Sequence, residues 1–161
     1  MTILYFGDYD PEYARNRVII SGLRQNGATV LECRTASRGF SGIRELARLH
    51  RKFRGKYDLL LVGYSDSRFM VPVARFLTAR PVVWDAFYSL YDSWVYDRKL
   101  VSPGHPKAYL YRFLDWLNCA LANKVLLDTD AHIAYFRKTF LDAPGRYARV
   151  LIGADDAIFH P

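Results

Sequence analysis

Short, solid apolar runs alternate with longer stretches of mixed polarity along the whole chain. Ile3–Phe6, Val30–Leu31, Leu59–Val62, Val82–Trp84, Val125–Leu127 and Val150–Ile152 have the length and aliphatic character of strands. Helices are predicted between them. The first opens at Asp10, a natural N-cap, with Pro11 at the first helical position, and closes near Asn26-Gly27. Others are predicted over Ile43–Phe53, Phe69–Leu77, Ala108–Ala122 and Ile133–Phe140. Strands without internal alternation are buried on both faces, which implies a parallel sheet covered by helices. The pattern predicts a doubly wound, Rossmann-like α/β domain of about six strands with helices on both faces. One connection, Asp85 to Pro106, is too long for a plain loop and is expected to be functional and mobile.

Composition narrows this picture. The chain has 161 residues, enough for one domain with a full core, and 51% apolar content excludes disorder. The 12 tyrosines need outlets at a rim, a ligand surface or a partner. Cys33 and Cys119 show no metal-ligand spacing and no disulfide-rich setting, so a reducing compartment and no metal are expected. The opening MTILYFGDYD lacks a signal-peptide pattern, and no run approaches the roughly 20 apolar residues of a membrane span. A cytoplasmic location follows. The net charge of +7 favours an anionic partner: nucleic acid, a phosphorylated ligand or a membrane surface.

In doubly wound sheets, ligands gather beyond the carboxyl ends of the strands. That rule selects GDYDPEYARNR, the aromatic segment DAFYSLYDSWVYDR and DTDAH. The passages YFGDYDPEYARNRVIISGLRQNGATV, ANKVLLDTDAHIAYF and IGADDAIFHP occur in an order that resembles the N-terminal domain of a GT-B glycosyltransferase. The closest likeness is to the retaining enzymes of family 4. The last passage is similar to the family's G.D...F.P stretch, which leads from the first domain into the second. The resemblance implies that residues 1–161 form the acceptor-binding domain and end at the interdomain linker, without the donor-binding domain. It implies a nucleotide-sugar donor held mainly by that second domain, a glycan or lipid-linked acceptor, and no further cofactor. The domain alone is expected to be inactive.

Gly7 follows the first strand, either for its turn geometry or to let a ligand approach. Arg15 and Arg17 sit about 200° apart early in the first helix, so only one can face the cleft, and Arg15 is favoured. Asp85 ends the fourth strand, where relatives often carry a histidine; it could bind sugar hydroxyls, take an acceptor proton or merely cap a turn. Tyr88, Ser89, Asp92 and Arg98 mix rings with polar groups, which suits an acceptor site, unless the rings only pin the loop. Thr129 or Asp130 is a natural N-cap, Thr129 is also a candidate substrate contact, and His132 in the following turn is a candidate catalytic group beside Asp85. These strand-end residues are expected to line one shallow cleft.

Two helices stand out. In GIRELARLHRKFRGKY, Arg44, Arg48, Arg51 and Lys52 gather opposite an apolar side, a pattern suited to an anionic membrane and a peripheral place at its inner face. In KAYLYRFLDWLNCALANK, the arc of Leu110, Phe113, Leu114, Trp116, Leu117, Ala120 and Leu121 is expected to pack in the core. The alternative to a transferase is a non-catalytic basic module for RNA or a phosphorylated ligand. No nucleic-acid signature supports RNA, so no nucleic acid is expected. A receiver-type domain is set aside, because Leu61-Val62-Gly63 stands where its phosphoacceptor would.

Overall fold

The structure, a computed structural model, describes residues 1–65 and 67–153. The strands β1 (Thr2–Gly7), β2 (Thr29–Arg34), β3 (Leu59–Val62), β4 (Val82–Phe87), β5 (Lys124–Leu127) and β6 (Tyr147–Arg149) form one sheet. Its order is β2-β1-β3-β4-β5-β6, and every pairing is parallel. The helices are α1 (Ala14–Gln25), α2 (Gly39–His50), α3 (Met70–Leu77), the short α4 (Leu90–Asp92), α5 (Pro106–Leu121) and α6 (Asp130–Thr139). This is the doubly wound α/β domain that the alternating pattern predicts.

The chain steps outward from β1 to β2, then returns past β1 to β3 and continues to the far edge. Right-handed crossovers therefore send α1 to one face and α2, α3, α5 and α6 to the other. The crowded face carries the larger core, where Leu4, Phe6, Leu60 and Trp84 of the sheet meet Leu46, Val71, Cys119 and Phe136 of the helices. Full burial of one such Leu, Val or Phe side chain contributes about 1.5–3 kcal/mol. On the other face Ile3, Tyr5 and Leu61 meet Ile20 of α1. Odd and even positions of β1 thus feed separate cores, which is why its sequence shows no polar alternation.

Three elements differ from expectation. The sixth strand is Tyr147–Arg149, just before the expected Val150–Ile152, and it continues the ladder through Leu127-Arg149. The apolar run after it makes no strand: Val150 gives its N–H to the carbonyl of Leu127 (2.7 Å), the last residue of β5, so the partner strand ends there. The first helix begins at Ala14, not at Asp10: the Asp10 carboxylate accepts the Glu12 N–H (2.9 Å) and holds Asp10–Tyr13 in a turn. On α5, Leu110, Phe113, Trp116 and Ala120 of the expected core arc are exposed, because Asp115 and Asn118 take the inward positions instead. The GADDAIFHP passage lies outside the described residues beyond Gly153.

Cys33 and Cys119 are free and buried, and burial pushes both thiols up to about 12, out of reach of thiolate chemistry at neutral pH. His50 closes α2 inside the core, with Nε2 2.7 Å from the Tyr57 hydroxyl. Burial, helped by the charge of Arg54, lowers its pKa below the ordinary value. The folded state then binds fewer protons than the unfolded chain, so stability falls as pH drops below about 6.5, the unfolded value. Urea midpoints measured between about pH 7 and pH 5 should fall with acid, and His50→Gln should flatten that slope. An unchanged slope in the variant would contradict the assignment.

Candidate functional site

The returning connection makes β1 and β3 neighbours whose following loops diverge, the switch point at which doubly wound sheets open a crevice. After β1 the backbone turns at Gly7 with φ +139°, a conformation that favours glycine, and Gly7 accepts the Thr35 N–H through its carbonyl. At the end of β3, a side chain at Gly63 would overlap the Tyr5 ring. Asn16 of α1 joins the two loops. It accepts the Tyr5 hydroxyl (2.8 Å) and donates to the carbonyls of Asp10 (2.9 Å) and Tyr64 (3.0 Å).

The resulting cavity has a volume of about 630 Å³. Its lining combines the polar side chains of Asp8, Asp10, Arg38, Ser65 and Arg68 with the apolar or aromatic ones of Phe69, Leu90, Leu110, Tyr111 and Leu114. Tyr13 and Tyr64 line it too. The rings of Tyr13 and Tyr64 lie 5.0 Å apart and 33° from parallel. Asp8 lines the cavity, and its Oδ1 is buried with no hydrogen-bond partner among the described residues.

Arg15 turns inward, as the sequence favours, but it meets Asp85 rather than a ligand. Its Nε lies 2.9 Å from both carboxylate oxygens and Nη2 lies 2.6 Å from Oδ1. Asp85 is 1% exposed. Burial pushes its carboxyl up from the ordinary value, and Arg15 opposes that push. With both oxygens engaged, this carboxylate holds the fold together and does not face the cavity. Beyond it Phe87 adopts φ +62° at the centre of a γ-turn, closed by the Tyr88 N–H on the Ala86 carbonyl (2.7 Å), with the Arg15 guanidinium 4.5 Å above its ring. From the opposite side Arg68, 3% exposed, reaches the carbonyls of Ala86 and Tyr88.

The Asp85–Pro106 connection is not loose. Asp115 of α5, fully buried, accepts the Ser89 hydroxyl (2.8 Å) and the Tyr91 N–H (3.0 Å), and its other oxygen faces Arg68 Nε at 3.9 Å. Ser89 caps α4, and a wide helical turn, Ser93–Asp97, follows. Ser89 is therefore a buried anchor, Tyr88 shares a hydrogen bond with Tyr64 (2.8 Å), Asp92 gives its N–H to Ser89, and Arg98 is exposed. Thr129 is the N-cap of α6, accepting the His132 N–H at 3.1 Å. His132 Nδ1 lies 2.5 Å from Asp128 Oδ1, which fixes the ring at the end of β5.

Gly7, Asp85 and His132 thus share the carboxyl edge, but none of the expected contact residues lines the cavity. Among those that do, Asp8, Asp10, Tyr13 and Asn16 lie in the selected GDYDPEYARNR stretch without being singled out, and most of the others lie outside the selected segments. Asn16 and Arg68 carry no motif; only their burial reveals them. Tyr64 lies two residues past β3 and falls under the same strand-end rule that selected Asp85. Arg44, Arg48, Arg51 and Lys52 are all exposed. Among the described residues no cluster of metal-ligating side chains forms, and no helix is long and apolar enough to cross a membrane.

The sequence matches no family profile and no curated protein. Among solved structures, the fold is similar to that of Anabaena Alr3699/HepE in complex with UDP and glucose, with a TM-score of 0.52 and 16% identity. The match covers 98% of this chain and 46% of that one, so the chain spans less than half of that protein. The fold is GT-B-like. Its six parallel strands and two helix layers correspond to one half of that arrangement.

Breaking one side of the buried Arg15–Asp85 pair should cost about 3–5 kcal/mol of unfolding free energy, because the partner charge is left unpaired. Arg15→Met and Asp85→Leu are each expected to show that loss in urea unfolding. The double substitution should recover a substantial part of it. Strict additivity of the two losses would mean that the pair is not coupled.

Proposed function

We propose that this domain is the acceptor-binding part of a retaining, family 4-like glycosyltransferase, which moves a sugar from a nucleotide-sugar donor to an acceptor hydroxyl. The observation that carries the reading is the switch-point cavity, where the paired rings of Tyr13 and Tyr64 share the lining with the carboxylates of Asp8 and Asp10. Rings cover the apolar faces of a sugar, and the carboxylates of Asp8 and Asp10 take its hydroxyls. The UDP and glucose of the Anabaena structure are the two parts of such a donor, and that protein is more than twice as long as the match. A second domain would hold the nucleotide. The acceptor oxygen bonds to the anomeric carbon as the bond from that carbon to the diphosphate breaks, and the acceptor proton leaves with the diphosphate. This domain supplies position, which removes much of the entropic barrier. Arg38 at the cavity rim is placed to meet charge on the departing phosphate. The fixed His132 imidazole is an additional hydrogen-bonding group at the same edge.

Titration of methyl β-D-glucoside into the isotope-labelled chain tests the site. Amide shifts should appear at Asp8, Tyr64, Ser65 and Tyr111, with a Kd of about 1 mM, typical of a single sugar, and no sugar transfer from UDP-glucose. Tyr111→Ala and Asp8→Asn should each weaken binding at least about fivefold, roughly 1 kcal/mol. Silence of every cavity amide toward a panel of methyl glycosides, or turnover by this chain alone, would overturn the reading.

The basic face of α2 and of the short turn after it, Arg51–Phe53, belongs to the same proposal as a contact with anionic lipid. Charges near such a surface contribute about 1 kcal/mol each. The chain should sediment with phosphatidylglycerol vesicles and detach as salt rises, and alanines at Arg44, Arg48, Arg51 and Lys52 should abolish this. Equal binding to neutral vesicles would count against it.

A further inference from the structure

The apolar lining of the cavity does not end at its rim. Leu110 and Phe69 line the cavity, yet they are 47% and 52% exposed, so each continues onto the outer surface. On α5, Leu114, Leu110, Phe113 and Tyr109 follow one another from the cavity to solvent within about 140° of helix circumference. Phe113 is 52% exposed and Tyr109 63%, and Trp116 stacks beside Phe113 with ring centres 5.7 Å apart. Beside α5 packs α3, where Phe76, one helical face with Phe69, is 91% exposed. An apolar surface that begins inside a partly polar cavity and widens outside it has the polarity profile of an amphiphile.

We infer that the acceptor is a lipid whose hydroxylated head occupies the cavity and whose hydrocarbon chain leaves over Leu110 and runs along Phe113 and Tyr109 of α5. The inference rests on the acceptor reading above and names its substrate class. Charge supports the choice of occupant. Lys107 and Arg112 are exposed on the same helix. The basic α2 packs on α3, which packs on α5, so all three lie in the layer on one side of the sheet. Cations flanking exposed aromatic and aliphatic side chains match the interface of an anionic bilayer, from which such a lipid would be drawn. A free glycan would use the polar lining and leave the exposed stripe without an occupant.

The test compares n-octyl β-D-glucoside, kept below its micelle concentration, with methyl β-D-glucoside on the same labelled chain. The octyl compound should bind at least tenfold tighter, compete with the methyl compound, and shift amides from Ser65 through Leu110 to Phe113. Phe113→Glu, a change at an exposed position, should remove that gain while the methyl glucoside still binds. Thermal unfolding of the variant checks that it folds. Trp116→Glu serves as a second substitution on the stripe should Phe113→Glu unfold. If the methyl compound binds and the octyl compound is no tighter, the lipid inference fails and the acceptor reading stands. Octyl binding along α5 without competition in the cavity would likewise overturn it. If neither compound reaches the cavity, both fail.

Discussion

Everything at the carboxyl edge of the sheet depends on how the end of β4 is held. The chain there bends through a left-handed residue, Phe87, which costs of order 1–3 kcal/mol and persists only when its surroundings over-determine it. Two buried guanidinium groups supply that determination from opposite sides. Arg15 grips the Asp85 carboxylate and covers the Phe87 ring, while Arg68 reaches the flanking carbonyls of Ala86 and Tyr88. Arg15 also reaches the Val150 carbonyl, so one side chain links the first helix, the fourth strand and the segment after the last. The same Arg68 forms part of the cavity wall and faces Asp115, which pins α4. The cavity is thus an outgrowth of an internal charge network.

That network explains what the sequence made legible and what it hid. Solid apolar runs such as Leu59–Val62 betray a strand with two buried faces, because each position must avoid water. The same logic fails on α5. Its apolar arc looks like a core face, yet Asp115 and Asn118 point inward, and the buried Asp115 carboxylate meets Ser89 and Tyr91 of the loop. A periodicity reading assigns charge to solvent by default, and a helix that buries its carboxylate reverses that assignment. Asp85 was misread for a related reason. Strand-end position marks a residue as near the ligand zone, but only the three-dimensional meeting of residues 70 positions apart shows that Arg15 has already claimed it.

Arg15, conversely, was legible as the inward member of its pair, since helical spacing alone separates it from Arg17. The cavity residues divide the same way. Tyr64 follows an evident strand and was within reach of the sequence rules. Asn16 was not, because its three hydrogen bonds run to partners brought in by β1 and β3. A fold shared at 16% identity is consistent with such economy, because sheet order needs only a hydrophobic pattern whereas the site needs particular contacts.

The placement of β1 has a consequence for biosynthesis. It is the earliest strand in the chain, yet it sits between β2 and β3, so both its edges wait for later partners. During translation, at about 5–20 residues per second, its apolar ILYF run spends seconds with neither ladder complete. Local pairing through α1 and β2 can shield one edge early, whereas the other stays open until Leu59–Val62 clears the ribosome. Exposure of β1 therefore falls in two steps, first as β2 emerges and finally as β3 does.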